Sequence, residues 1–270
     1  MARVFPMARR ALITLLFSAA LFGQSPEARR HFTNGVDLFG EHDDTGDALR
    51  EADVEFAAAL RIQPRYCAAR AYQGLIALEL SQEPEAEKAL REALSWDSKC
   101  AEALVGLAEL SQRRRKPAES LALLRQAVAV APRNPLARRQ LGYVLANEEA
   151  MPSPAIMREA IECFHVLTSL DRNDRDAHYA LAHAYRYLGQ WREAEPEFRE
   201  VLRIGQTKDD SDVWVYSVHG ELAEALAKQS KNAEAIREYE ALVASEVAGD
   251  EEIRRAREAI ETLRTGTARR

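Results

Sequence analysis

Residues 175–208 read RDAHYALAHAYRYLGQWREAEPEFREVLRIGQTK, and this stretch decides the fold. Within it, Ala194 is followed four places later by the bulky Phe198 and three places after that by Val201. The same order, a small residue, a bulky apolar one and a small or aliphatic one, recurs in Ala52-Phe56-Ala59, Ala86-Leu90-Ala93, Ser120-Leu124-Ala127, Ala160-Phe164-Leu167 and Ala235-Tyr239-Leu242. The first members lie 34, 34, 40, 34 and 41 residues apart. A period of 34 residues that is kept or lengthened is typical of stacked helix pairs.

The composition favours a helical binding protein. The 270 residues are 47% hydrophobic and 30% charged, with only 12 glycines and no long β-branched runs. A formal net charge of −6 argues against nucleic acid as the main partner. Because a stacked array buries its core between neighbouring units, it presents long surfaces to partners rather than a closed pocket.

Each unit is predicted to contain two helices joined by a short turn. In the third unit the pattern predicts one helix over Ala101–Leu110 and a second over Ala118–Val130. Pro132 ends the second helix, because proline lacks a backbone donor and disfavours helix in the residue before it. Gly35 and Gly74 lie where two helices are expected to cross, since a small residue there permits close packing.

These residues resemble the tetratricopeptide-repeat family. The family has characteristic residue types at the fourth, seventh, eighth, eleventh, twentieth, twenty-fourth and twenty-seventh places of each unit. In residues 175–208 these places hold His178, Leu181, Ala182, Tyr185, Ala194, Phe198 and Val201. The resemblance implies an all-α fold of about thirteen helices, a right-handed α-solenoid of antiparallel helix pairs that forms a superhelix.

The resemblance also implies a domain organisation. We expect six repeats within 27–249, a C-terminal capping helix at 250–266 and a tail at 267–270. The repeats are expected at about 27–66, 67–100, 101–134, 135–174, 175–208 and 216–249.

The units depart from the regular period at several points. Extra residues at 41–45 and 147–154 predict loops, and 209–215 separate the fifth and sixth units. Pro196 falls inside the second helix of the fifth unit, which predicts a kink or a late helix start there.

The first 23 residues are predicted to be a secretory signal. Arg3, Arg9 and Arg10 precede an apolar stretch, 11–22, that is too short to span a bilayer comfortably. Cleavage could follow Gly23 or Ala20, with Gly23 favoured, and an uncleaved anchor is the alternative. The protein is therefore expected to be exported, periplasmic or extracellular, with membrane association only through an uncleaved signal segment.

Export would place the three cysteines in an oxidising compartment. Cys67 opens the second unit, Cys100 lies just before the first helix of the third, and the two form the candidate disulfide. Bonding requires Cα atoms within about 7 Å, whereas adjacent units are spaced by roughly 10 Å, so Cys100 would have to lean back. Cys163 is expected to be a small buried hydrophobe.

Catalytic and metal-binding motifs are absent from the sequence. Phosphate loops, nucleophile elbows, Cys-x-x-Cys and His-Glu-x-x-His do not occur, so no enzyme activity, cofactor or metal is expected. His31, His178 and His219 share the fourth place of their units and are interpreted as packing residues. An envelope hydrolase remains a remote alternative.

The resemblance implies a concave groove lined by the first helix of each unit. In the family, the second, fifth, ninth, twelfth and thirteenth places of each unit line this groove. At these groove places the fourth and fifth units carry an aromatic and basic set: Arg139, Tyr143, Tyr179, His183, Arg186 and Tyr187. The first two units offer an apolar set on the same face: Phe32, Val36, Phe39, Leu75 and Leu78. Aromatic and arginine side chains are enriched in binding hot spots. We expect a protein-interaction scaffold of the cell envelope that binds a peptide or amphipathic helix with acidic residues.

Two alternatives remain open for this groove. The protein's own loops or its C-terminal helix cover part of the face, or the protein is more narrowly an assembly factor for an outer-membrane or pilus machine.

Overall fold

The computed structural model of the chain describes residues 25–40, 46–146, 153–206, 213–245 and 248–267. The expected signal segment at 1–23 lies outside these residues. So do the loop at 41–45, most of the loop at 147–154, most of the spacer at 209–215 and the tail after 267.

The described residues form thirteen α-helices and no strand, which confirms the all-α fold. In chain order the helices are α1 (Pro26–Gly40), α2 (Asp47–Ile62), α3 (Cys67–Glu79), α4 (Glu83–Trp96), α5 (Ala101–Arg113), α6 (Pro117–Val130), α7 (Pro135–Ala146), α8 (Pro154–Leu170), α9 (Arg175–Tyr187), α10 (Trp191–Gln206), α11 (Val213–Lys228), α12 (Asn232–Val243) and α13 (Asp250–Thr267). Consecutive helices pack as hairpins, α1 with α2, α3 with α4, α5 with α6, α9 with α10 and α11 with α12.

Two helix boundaries differ from the expectation. α10 begins at Trp191 and continues through Pro196, so the late helix start does not occur. α11 begins at Val213, so the last three residues of the expected spacer are helical. Asp212 directly precedes α11 in the sequence, and aspartate is a favoured residue at helix starts.

Four of the turns inside hairpins share one backbone geometry. Two residues after the ends of α3, α5, α9 and α11, a residue takes a left-handed conformation: Ser81 (φ 59°), Arg115 (φ 56°), Gly189 (φ 69°) and Ser230 (φ 63°). After α3, the Gln82 amide donates to the Ala77 carbonyl at 2.7 Å and the Ser81 amide to the Leu78 carbonyl at 2.9 Å. This is the Schellman pattern, which satisfies the last carbonyls of a helix.

The chain also divides into two compact units that are larger than the repeats. From here on, the first unit means Met1–Val144 with Ser169–Asp171, the second unit means Leu145–Thr168 with Arg172–Arg270, and single repeats are numbered third to sixth as above. In the first unit, α3 packs against both α4 and α5. Leu90 of α4 is completely buried, and Gly74 and Gly106 leave room for its side chain. An aromatic cluster lies nearby, in which the Phe56 and Tyr72 rings stack with centroids 5.0 Å apart.

The second unit has its own core, built from the second helix of one hairpin and the first helix of the next. Phe198 of α10 and Leu222 and Leu226 of α11 are at most 1% exposed. α13 packs against α12 and buries Ala256 and Ile260, while most of its other residues are exposed and charged. The apolar side of α13 is thus the side that packs against the last hairpin, and its capping role stays a prediction.

Candidate functional site

The α9 helix places three polar side chains on one face. The Asp174 carboxylate caps its start by accepting a 3.0 Å hydrogen bond from the Ala177 amide. Leu181 and Ala182 are completely buried and fix which side of α9 faces the core. Tyr179, His183 and Arg186 follow one another at intervals of four and three residues, so they lie in one row along the helix. We call these three residues the α9 stripe.

Two glutamates of α11 lie opposite the α9 stripe. Glu221 and Glu224 are three residues apart and therefore share one face of α11. The neighbouring Leu222 and Ala225 are buried in the core of the second unit, which orients the helix. We call Glu221 and Glu224 the α11 carboxylates.

All three side chains of the α9 stripe contact the Glu221 carboxylate. His183 Nε2 lies 3.1 Å from Glu221 Oε2, and the Tyr179 hydroxyl donates to Oε1 over 3.5 Å. Arg186 Nη1 lies 4.0 Å from Glu221 Oε1, and its Nε donates to Glu224 Oε2 at 3.1 Å. A phenol, an imidazole and a guanidinium group therefore converge on one carboxylate.

Ring packing holds the stripe in place. The Tyr179 and His183 rings lie 4.3 Å apart between centroids, and the His183 ring meets Phe198 edge-on at 5.8 Å. Burial, and then the nearby Glu221 charge, raise the pKa of Tyr179 well above its usual value. The Tyr179 phenol thus keeps its proton at neutral pH and acts as a donor to carboxylates.

These contacts remain accessible to water. The side chains of His183 and Glu221 are 34% and 21% exposed, and those of Arg186 and Glu224 are both 37% exposed. Ion pairs at such partly exposed positions contribute about 0.2–1 kcal/mol. The contacts can therefore exchange with those of a ligand at low cost.

The structure distributes the six predicted groove residues over both units. Tyr179, His183 and Arg186 meet at the α9 stripe, and Tyr187, at the end of the same helix, is 44% exposed. Arg139 and Tyr143 are partly buried on α7 in the first unit.

The predicted residues did not include the α11 carboxylates. Glu224 occupies the ninth place of the sixth unit, which is a groove place, so the repeat pattern carried a signal for it. Glu221 lies at the sixth place, and no pattern in the sequence indicates its contact with α9.

The expected apolar half of the groove is wrong. Phe32, Val36, Leu75 and Leu78 are at most 6% exposed and belong to the core of the first unit. Phe39 also packs against this core, with its ring 5.4 Å from that of Tyr72. Close packing of α1 and α3 around Tyr72 buries the face that the repeat places assigned to a ligand.

The three histidines at the fourth place each hold a glutamate of the second helix in their own hairpin. The distances from histidine Nδ1 to glutamate Oε2 are 2.7 Å for His31 and Glu55, 2.6 Å for His178 and Glu197, and 2.8 Å for His219 and Glu238. They therefore tie two helices together through hydrogen bonds, in addition to packing. Within the described residues, no group of three or more His, Cys, Asp or Glu side chains is arranged to hold a metal ion.

The three cysteines are free thiols in the structure. A hydrogen bond with Cys67, and then burial, raise the pKa of the Cys100 thiol well above its usual value. The Cys67 thiol donates to Asp97 Oδ2 over 4.0 Å and the Cys100 thiol to Glu102 Oε2 over 3.7 Å, and the Cys67–Cys100 disulfide stays a prediction. Cys163 is completely buried.

Among the helices that the structure describes, none combines the length and hydropathy needed to cross a membrane.

Hairpins of consecutive helices define a helical-repeat protein, and comparison with known proteins specifies the class. The family described as "Tetratricopeptide repeat" (TPR_7) matches residues 177–212, which include most of α9 and all of α10. The chain therefore carries a tetratricopeptide repeat and has the fold of tetratricopeptide-repeat proteins.

Three solved structures illustrate the similarity of fold. PilW, a widely conserved type IV pilus biogenesis factor, has a TM-score of 0.54 at 18% identity, covering 88% of this chain and 99% of PilW. PilF of Pseudomonas aeruginosa has a TM-score of 0.53 at 17% identity, covering 80% of this chain and 91% of PilF. The human IFIT1 dimer with m7Gppp-AAAA has a TM-score of 0.51 at 18% identity and covers 90% of this chain, which spans only 64% of IFIT1. No curated protein matches the sequence.

Proposed function

We propose that this protein is a non-enzymatic scaffold that binds a protein partner through a peptide or helix laid along the α9 stripe. The observation that supports this proposal is the convergence of Tyr179, His183 and Arg186 on a carboxylate. Tyrosine and arginine are the residue types that most often carry binding energy at protein interfaces. The side chains are also partly exposed, so a ligand can reach them.

The chemistry of the stripe favours an acidic partner segment. Its donors are a phenol that keeps its proton, an imidazole and a guanidinium group, and all three match carboxylate oxygens. The net charge of −6 opposes nucleic acid as the ligand, although the IFIT1 structure holds m7Gppp-AAAA. We accordingly place Tyr187, which is 44% exposed at the end of α9, in a secondary role as a residue that extends binding along that helix.

The proposed location is the periplasm or the cell exterior. Support comes from the basic and then apolar order of residues 1–23, which is typical of a secretory signal.

A second candidate function is assembly of an outer-membrane or pilus machine. The observation in its favour is the similarity of fold to PilW and PilF over 88% and 80% of this chain. Cell fractionation distinguishes the two functions, since tight association with the outer membrane would favour the assembly factor.

Partner capture with matched variants tests the proposal. The full-length chain is crosslinked in cells, and captured proteins are quantified by mass spectrometry for wild type, Arg186→Ala and Arg199→Ala. Arg199 is a suitable control because it is 43% exposed and pairs with Glu195 and Glu234, away from the stripe. We expect the Arg186 variant to lose a specific partner that the Arg199 variant retains. Equal profiles for the two variants, with both folded by circular dichroism, would refute the α9 site.

A further inference from the structure

We propose that the α11 carboxylates act as an internal ligand of the α9 stripe, and that the natural partner is a helix with the sequence pattern Glu-x-x-Glu that displaces them. This inference rests on the proposed function, because it assigns a partner class to the same site.

The first argument is the matching register of the two helices. His183 contacts Glu221 and Arg186 contacts Glu224, so donor and acceptor both advance by three residues from one contact to the next. Three residues of α-helix correspond to a rise of about 4.5 Å. A pair of carboxylates three residues apart on a helix therefore fits the stripe, and α11 shows this fit within the protein.

The second argument is that these contacts are easily exchanged. His183, Arg186 and Glu224 are each at least 34% exposed, and the Arg186 contact to Glu221 is long at 4.0 Å. Partly exposed ion pairs of this kind change an equilibrium by about fivefold or less. An incoming helix with its own two carboxylates replaces the lost contacts one for one, so its affinity is lowered by the competition but not abolished.

The competing interpretation is that Glu221 and Glu224 only tie two adjacent hairpins together. In that case, removal of their charges lowers stability and leaves ligand affinity unchanged. Internal competition predicts the opposite effect on affinity, namely tighter binding when the internal carboxylates are neutralised.

Fluorescence anisotropy with a defined probe separates these interpretations. The probe is a labelled alanine-rich helical peptide of about 18 residues that carries one Glu-x-x-Glu pair. Control peptides carry Gln-x-x-Gln, or Glu-x-Glu, whose carboxylates point to different sides of the helix. The full-length proteins are wild type, Glu221→Gln, Glu224→Gln and Glu240→Gln. Glu240 pairs with Arg264 on α13, so its variant makes the same change in charge away from the stripe.

We expect Glu221→Gln and Glu224→Gln to bind the Glu-x-x-Glu peptide about two- to fivefold more tightly than wild type, and Glu240→Gln to match wild type. The Gln-x-x-Gln and Glu-x-Glu peptides should bind more weakly to every protein. If wild type binds the acidic peptide but neither Glu221→Gln nor Glu224→Gln exceeds Glu240→Gln, internal competition is wrong and the proposed function stands. If no protein binds any peptide, the proposed function itself fails at this site. Thermal unfolding of each variant verifies that it is folded, and the Glu224 variant, which loses a single exposed pair, serves if Glu221→Gln unfolds.

Discussion

Leu90 of α4 packs so closely against Gly106 of α5 that a β-carbon at position 106 has no room. A methyl group at Gly106 would lie 2.4 Å from Leu90 Cδ2, and one at Gly74 of α3 would lie 2.7 Å from Leu90 Cγ. Leu90 has no exposed surface, so its side chain cannot swing into solvent to relieve such contacts. The two glycines and the leucine thus join three helices of the first unit.

Substitution of Gly106 by alanine should destabilise the first unit. Overpacking of a core costs about 1–3 kcal/mol, which offsets the roughly 1 kcal/mol that alanine gains over glycine in a helix. We expect a net loss in the free energy of unfolding, measured by urea denaturation. Gly249→Ala is the control, because a β-carbon there meets no atom within 4 Å. Equal stability of the two variants would contradict the packing described for Leu90.

Leu90→Ala should be more damaging than either glycine substitution. Truncation of a completely buried leucine costs about 2–5 kcal/mol, depending on how far the cavity collapses. The measurement is the midpoint of urea denaturation. Truncation of Leu80, which is 44% exposed, provides the control and should change stability far less.

Glycine should improve the hairpin turns that have a side chain at the left-handed position. Ser81, Arg115 and Ser230 take positive φ angles, which cost about 1–2 kcal/mol for residues other than glycine. Part of that gain is lost to the greater freedom of glycine in the unfolded chain, about 0.4–1 kcal/mol. We expect each Gly variant to raise the melting temperature, and Gly189→Ala to lower it. A fall in the melting temperature for all three Gly variants would show that these side chains stabilise the turns.

Stability should depend on the protonation of His178. Burial by itself lowers the pKa of His178, but the Glu197 carboxylate, assisted by the Arg172 carbonyl and Glu200, outweighs burial and raises the pKa above 6.5. Because the folded-state pKa is the higher one, this stabilisation is fully present below about pH 6.5 and is lost as pH rises through the folded-state pKa.

The check is the melting temperature measured across this pH range for wild type and Glu197→Gln. Wild type should lose more stability than the variant as pH rises, because glutamine offers no charge to imidazolium. Parallel pH curves for the two proteins would exclude a protonated His178 in the folded state.

Oxidation should join Cys67 to Cys100. The Cys67 side chain is the largest cause of the raised pKa of Cys100, and a disulfide between the two would close a loop of roughly 30 residues, worth about 3–4 kcal/mol in the chain-entropy model. Peptide mapping after treatment with oxidised glutathione should detect this pair, and melting should shift upward. Cys163→Ser should behave like wild type, and Cys67→Ser should abolish both effects. If the melting temperature of Cys67→Ser still rises after oxidation, the rise is caused by another reaction and not by this disulfide.

The helices were predictable because their signal is local. Small and bulky residues at helical spacing, proline at the hairpin ends and the 34-residue period indicate a helix pair wherever they occur. The start of α11 was harder to predict, since Val213 lies in a stretch where the 34-residue period is interrupted. The left-handed Ser81, Arg115 and Ser230 were also not predicted, because glycine signals such a turn and serine or arginine does not.

The exposure of the predicted groove residues could not be read from the repeat pattern. Repeat places assign the ninth residue of each unit to the groove, yet this place is a partly exposed His183 in one repeat and a buried Leu75 in another. The difference lies in the side chains that cover this place. α1 and α3 pack closely around aromatic rings, whereas α9 and α11 are bridged by long polar side chains.

The 34-residue period thus dictates an all-α chain of hairpins and its tetratricopeptide character, because helix formation and hairpin packing depend on residues close in sequence. The recurrence of Ala194, Phe198 and their equivalents is sufficient for this conclusion. The meeting of His183 and Arg186 with Glu221 and Glu224 spans 38 residues and depends on how two hairpins stack. That contact converts an apparently free basic surface into one that already holds a carboxylate, and only the folded arrangement reveals it.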